Sequence, residues 1–252
     1  MNDADTPDDA MPVVLLHGFG QTGRCWGPLA PALATDHEVT ALDLPGHGAA
    51  GAIRADLWTT ADLVADAIEP DRPAALVGYS MGGRVALHVA LAHPRSVRAL
   101  VLVSATGGID DDGERDARRA ADDALAARVE TIGVDAFVGE WLALPLFAGL
   151  PPEGRFEDER RSNSAAGLAS SLRLAGTGTQ EPLWDRLGEL TMPVLIIAGQ
   201  DDTKFAALAE RLAAGIGAQA TLAIVGGSGH TVHLEQPLLT ADLVTTWLAN
   251  LP

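Results

Sequence analysis

Three short stretches carry side chains that could act on one another: Gly78-Tyr79-Ser80-Met81-Gly82, Gly199-Gln200-Asp201-Asp202 and Gly226-Gly227-Ser228-Gly229-His230. A serine hydroxyl is a weak nucleophile and a weak base at neutral pH. It becomes useful when an imidazole takes its proton and a carboxylate fixes the tautomer of that imidazole and supports its cationic form. Ser80, an acid from the pair Asp201 and Asp202, and His230 supply these parts in that order along the chain. His233 lies three residues beyond His230 and is read as off the site, either packing or facing solvent.

These side chains need elements to hold them. The apolar run 74–77 reads as a buried strand, and the periodic Val85, Ala86, Leu87, Val89, Ala90, Leu91 as a helix, so Gly78-x-Ser80-x-Gly82 falls on a strand-to-helix turn. Glycine lets the backbone make that turn tightly, and Met81 at the helix opening offers an unpaired N–H to a developing oxyanion. A second donor is expected from Phe19, in the loop His17-Gly18-Phe19-Gly20 that follows the apolar run 11–16. His17, Asp43 and His47 are read as residues that order their own loops.

Strand and helix patterns alternate from residue 11 to 104, with strands at 39–42 and 98–104 and a helix at 59–68. Residues 106–190 show no strand pattern, only helical segments around 114–132, 134–142 and 163–174 joined by proline-containing turns. Strand patterns return at 193–198 and 221–225, with helices at 205–216 and 237–248. The expectation is an α/β fold: one domain over 1–252, a mostly parallel sheet flanked by helices, and a helical cap inserted at 106–190.

Composition narrows the function. The 252 residues carry a formal charge of −17, which disfavours nucleic acid and anionic membrane surfaces as partners. All but one of the 17 basic side chains are arginine, the exception being Lys204. The acidic opening residues have neither the basic nor the apolar part of a secretory leader, no apolar run approaches the ~18 residues of a membrane span, and Cys25 has no cysteine to pair with. A cytoplasmic protein is expected. Asp110-Asp111-Asp112-Gly113-Glu114 lacks the ligand spacing of a calcium loop, and no G-x-G-x-x-G or P-loop follows a strand. Neither a metal nor a nucleotide cofactor is expected.

The order Ser80, acid, His230 resembles that of α/β-hydrolase folds, and the spacing Gly199-x-x-Asp202 resembles their acid position, favouring Asp202 over Asp201. More specific segments lie elsewhere. Leu16-His17-Gly18-Phe19, Asp43-Leu44-Pro45-Gly46-His47-Gly48, Gly78 to Arg84, Glu114-Arg115-x-x-Arg118-Arg119, Trp141-x-x-x-Pro145-Leu146-Phe147-Ala148, Arg161-Ser162-Asn163 and Asp202-x-Lys204-Phe205 together resemble the 2-succinyl-6-hydroxy-2,4-cyclohexadiene-1-carboxylate synthases. The resemblance implies a lyase of menaquinone or phylloquinone biosynthesis that expels pyruvate from a small, tricarboxylate substrate by 2,5-elimination. The serine would serve as a base, with no acyl-enzyme.

Arginines then acquire a role. Arg84 lies one helical turn after Ser80, and the resemblance places Arg118 and Arg161 in the same cleft, where a planar guanidinium can grip a carboxylate with two parallel hydrogen bonds. Trp141, Phe147 and Phe205 are expected along the pocket. Two departures stand out. Met81 replaces a common leucine, and Gly226-Gly227-Ser228 leaves the loop before His230 without bulky side chains to hold it. A serine hydrolase acting on esters or carbon–carbon bonds is the alternative reading.

Overall fold

Short apolar runs form six strands in the computed structural model, which describes residues 10–251: β1 (Pro12–Leu16), β2 (Glu38–Leu42), β3 (Ala74–Tyr79), β4 (Val97–Val103), β5 (Val194–Gly199) and β6 (Ala220–Val225). Residues 1–9, most of the acidic opening stretch, lie outside the described residues. The sheet runs β2-β1-β3-β4-β5-β6 and every neighbouring pair is parallel. Its four inner strands are buried on both faces, which is why they read as nearly unbroken apolar runs, whereas the edge strands β2 and β6 are largely exposed.

Side-chain alternation splits the core into two layers. Val14, Leu16, Leu76, Leu100, Leu102 and Ile196 face α2 (Leu57–Asp66), α3 (Met81–Ala92) and α7 (Thr203–Ile216). Val13, Leu15, Val77, Val101 and Ile197 face α1 (Leu29–Leu33) and α9 (Pro237–Ala249) on the other side. The chain leaves β1 for the edge strand β2 and returns to place β3 on the other flank of β1. At such a reversal the loops after the two strands diverge and open a crevice at their carboxyl ends.

Between β4 and β5 the described chain has helices and turns only: α4 (Asp112–Leu142), α5 (Glu157–Arg161) and α6 (Ala165–Ala175). The two segments expected at 114–132 and 134–142 are two helical stretches of α4 that meet in a kink at Gly133, whose φ of +80° and ψ of 166° interrupt the helix where only glycine fits comfortably. Asp111 caps α4 by accepting from Glu114 N at 2.8 Å, so the acidic run is a helix start. Ala126, Val129 and Phe137 of α4 pack on Leu168, Ala169 and Leu172 of α6 as a separate small core. The short helices α1, α5 and α8 (Val232–Glu235) had no sequence signal, since four or five residues are too few to show a helical period. Among the described residues no helix is long and apolar enough to cross a membrane.

Candidate active site

The carboxyl ends of β1, β3, β5 and β6 deliver Phe19, Ser80, Asp202 and His230. Ser80 joins β3 to α3 with φ +51° and ψ −105°, a conformation unusual for a residue with a side chain, and its N–H is tied to Val103 O at 2.9 Å. The turn closes because a β-carbon on Gly78 would overlap Gly82 O, and one on Gly82 would overlap Leu16 O. Strain at Ser80 is therefore enforced by backbone packing on both sides, and it lifts the hydroxyl clear of the sheet.

His230 Nε2 lies 3.1 Å from Ser80 Oγ, and His230 Nδ1 lies 2.8 Å from Asp202 Oδ2. Burial alone would raise the Asp202 carboxyl; the hydrogen bond and charge of His230, the Phe205 N–H and nearby Lys204 outweigh it and hold the group below its ordinary value. An ionised Asp202 can only accept, so His230 donates through Nδ1 and presents a lone pair at Nε2 to the serine hydroxyl. Asp202 Oδ1 also caps α7 by accepting from Phe205 N at 3.2 Å, which fixes the carboxylate from its other side. Asp201 is exposed and makes no contact with His230 among the described residues.

The N–H groups of Phe19 and Met81 find no acceptor among the described residues and flank the serine, as an oxyanion would need. Phe19 is held by its neighbours. Gly20 N donates to His47 Nε2 at 3.1 Å and Leu44 N donates to His17 Nε2 at 3.0 Å, with the opposite nitrogens facing the Pro45 and Gly18 carbonyls. Burial drives the pKa of His17 to about 4 and of His47 to about 3, keeping both imidazoles neutral acceptors. Asp43 accepts from Gly23 N and Ala49 N, so these residues are loop architecture.

The loop before His230 is held, despite its small residues, by a side chain the sequence reading did not single out. Glu235 accepts from Gly229 N at 2.7 Å, from Thr231 N at 2.9 Å and from Thr231 Oγ1 at 3.0 Å, while Ser104 Oγ donates to His230 O at 2.7 Å. His233 is buried between Tyr79 and Trp26 and contacts neither Ser80 nor Asp202.

A cleft of about 830 Å³ opens over the serine, between the sheet and the helices that follow β4. Arg84 and Arg118 both line it. Arg84 is 6% exposed and donates from Nη1 to Gln180 Oε1 at 3.4 Å; burial, then the charge of Arg118, lower its pKa to about 10, leaving it cationic at neutral pH. Arg118 donates through Nε to the buried Asp122 at 2.8 Å, a contact that leaves its terminal nitrogens for the cleft. Trp141, Phe205 and Lys204 also line the cleft, whereas Phe147 lies deeper, against Arg160.

Arg161 is the correction. It lines neither the cleft nor the deeper space, and it pairs at the surface with Glu157 at 2.6 Å and Asp158 at 3.7 Å. Its neighbour Arg160 is the buried one, at 1% exposed, donating from Nε to Arg155 O at 2.7 Å and from Nη1 to Gly20 O at 3.4 Å. Successive residues on a helix point about 100° apart, so one residue of register separates a buried arginine from a surface one. The adjacent Arg160-Arg161 pair was the available signal, and spacing alone could not choose between them.

The alpha/beta hydrolase family matches residues 13–243. A Bacillus subtilis protein provisionally named 2-succinyl-6-hydroxy-2,4-cyclohexadiene-1-carboxylate synthase is 36% identical, over 97% of this chain and 93% of its own length. The synthase of that name from Photorhabdus laumondii is 31% identical, over 94% of this chain and 85% of its own. The chain belongs to this synthase family within the alpha/beta hydrolases. The structure of MenH from S. aureus superposes with a TM-score of 0.89 at 32% identity, covering 95% of this chain and 93% of that one. As a member of the synthase family the protein is an enzyme of the lyase type.

Proposed function

We propose that the protein eliminates pyruvate from 2-succinyl-5-enolpyruvyl-6-hydroxy-3-cyclohexene-1-carboxylate to give 2-succinyl-6-hydroxy-2,4-cyclohexadiene-1-carboxylate, with Ser80, His230 and Asp202 acting together as the base. Ser80 Oγ removes a ring proton while its own proton passes to His230 Nε2, and Asp202 supports the imidazolium that results. The electron pair left at C2 forms a C2–C3 double bond, the ring's C3–C4 double bond moves to C4–C5, and the C5–oxygen bond to the enolpyruvyl group breaks. The departing enolate takes up one proton at carbon, balancing the one removed from C2, and becomes pyruvate. Charge delocalised from the carbanion is met by the N–H groups of Phe19 and Met81.

The observation that carries this reading is the pairing of the serine, histidine and aspartate with Arg84 and Arg118 in one cleft of a protein whose formal charge is −17. Such a protein repels a trianion at long range, so affinity must come from guanidinium groups lining the cleft at short range. Arg160 replaces Arg161 as the third arginine in this proposal.

Purified protein given the enolpyruvyl substrate should release pyruvate, read with a coupled reductase. Ser80→Ala and His230→Ala should each lower turnover by roughly a thousandfold or more. The same His230 geometry would also serve acyl transfer, so intact-mass analysis after rapid mixing separates the readings. No adduct is expected with the native substrate, and an accumulating one would establish the hydrolase alternative.

A further inference from the structure

Beneath the main cleft lies a second space of about 30 Å³, bounded by Ser80 and His230 on one side and by Gln21, Trp141, Arg160 and Phe147 on the other. That volume holds one water molecule or the end of a small polar group. Tyr79 also lines it, with a hydroxyl that can donate or accept, while Gln21 Nε2, Trp141 Nε1 and the Arg160 guanidinium can only donate. Gln21 is 1% exposed, and its orientation is fixed because Oε1 accepts from Gly18 N at 3.0 Å; Nε2 is left buried with no acceptor. Trp141 Nε1 is likewise buried with no acceptor. Arg160 has no carboxylate within ion-pair distance among the described residues, although its guanidinium is buried.

These groups converge on one place. A β-carbon built on Gly20 would stand 3.8 Å from Arg160 Nη1 and 3.9 Å from Trp141 Nε1, ordinary contact distances, so both donors lie beside the same stretch of backbone. Buried donors are nearly always satisfied in folded proteins, and two orphans beside an unpaired guanidinium are satisfied together by a planar anion with several lone pairs. A single water could accept at most two of these bonds.

We propose that this niche is a carboxylate-binding subsite, and that Gln21 Nε2 is a specificity-determining donor within it, holding one carboxylate of the substrate beside Ser80. The inference rests on the tricarboxylate reading of the cleft. It adds a residue outside every segment that carries the family resemblance, in the loop after β1.

Gln21→Glu tests it with little disturbance to the fold. Glutamate can keep the acceptor for Gly18 N–H and replaces only the niche-facing donor with an anionic oxygen, which would pair with Arg160 and fill the subsite from within. Binding of pyruvate, succinate and benzoate, probes for the leaving group, the succinyl arm and the ring carboxylate, is measured by ligand-observed NMR on wild type and Gln21→Glu without turnover. Methyl pyruvate is the neutral control.

At least one carboxylate should bind wild type and lose tenfold or more in affinity in Gln21→Glu, and the probe that does so identifies which carboxylate occupies the niche. The thermal midpoint should be unchanged or higher. Unchanged affinity for all three probes, or no binding of any to wild type, would overturn the proposal and leave the niche to water. Because no step of the assay requires elimination, a protein that releases pyruvate normally as Gln21→Glu defeats the subsite alone. Carboxylate binding through Gln21 without pyruvate release would defeat the lyase chemistry alone.

Discussion

Arg160 and Arg161 are consecutive, yet the first is buried with its guanidinium near Gly20 O while the second is paired with Glu157 at the surface. Exposed ion pairs contribute about 0–1 kcal/mol, whereas a desolvated guanidinium facing a substrate carboxylate contributes about 1.5–3 kcal/mol. Arg160→Ala should therefore lower kcat/KM for pyruvate release by at least about tenfold, and Arg161→Ala by less than about twofold. Steady-state kinetics on both variants, with thermal midpoints recorded alongside, decides it; equal losses would remove Arg160 from the site.

Arg84 calls for a test of shape and charge together. Lysine keeps the charge but loses the planar fork and the approach to Gln180. Arg84→Lys should cost at least about tenfold in kcat/KM on the trianionic substrate, since about 1.4 kcal/mol is one decade, and much less on a small neutral ester. An equal loss on both substrates would mean that Arg84 supports the fold and does not read carboxylates.

Glu235 holds the histidine loop through three accepted hydrogen bonds. Removing it strands Gly229 N–H and Thr231 N–H, at a cost of roughly 1–3 kcal/mol for each donor left buried without a partner. Glu235→Ala should lower the thermal midpoint and reduce kcat about tenfold with KM little changed, because the loss falls on where His230 sits. Should kcat hold while stability drops, the loop would be positioned by Ser104 and packing instead.

Acid should destabilise the protein in a defined window. Burial is the first cause that brings His17 and His88 to about 4 and His47 and His233 to about 3. In the unfolded chain these imidazoles titrate near their ordinary value of about 6.5. Between about pH 6.5 and 4 the unfolded state binds more protons, so stability falls as pH falls, by up to about 1.4 kcal/mol per pH unit for each histidine. Asp202, held low, adds a loss only in the carboxylate range, as pH drops through its folded value. Thermal midpoints should be nearly flat above pH 7 and fall steeply below 6.5. His233→Leu, which removes an imidazole without a hydrogen-bond partner among the described residues, should flatten that slope.

Local rules made much of the framework readable. The inner strands are runs that only double burial explains, and Gly78-x-Ser80-x-Gly82 falls where an apolar run meets a helical period, so sheet, elbow and the order of Ser80, acid and His230 are written in neighbouring residues. Arg84 was placed by helical pitch alone, one turn from Ser80 on a helix whose direction the elbow fixes.

Tertiary structure decided what depends on distance in space and not on spacing along the chain. Whether Arg160 or Arg161 turns inward is set by the start of α5, a five-residue helix too short to announce its register. Glu235 bonds Gly229 and Thr231 behind it through the turn of α8, and Gln21 lines one space with Trp141 and Arg160, which lie 120 or more residues further along the chain. Charge and hydrogen bonding act over a few ångströms in three dimensions, and a sequence pattern reports them only when one regular element holds both partners. Here β3 and α3 do so for Ser80 and Arg84, while the helices between β4 and β5 bring the remaining donors to the serine from far along the chain.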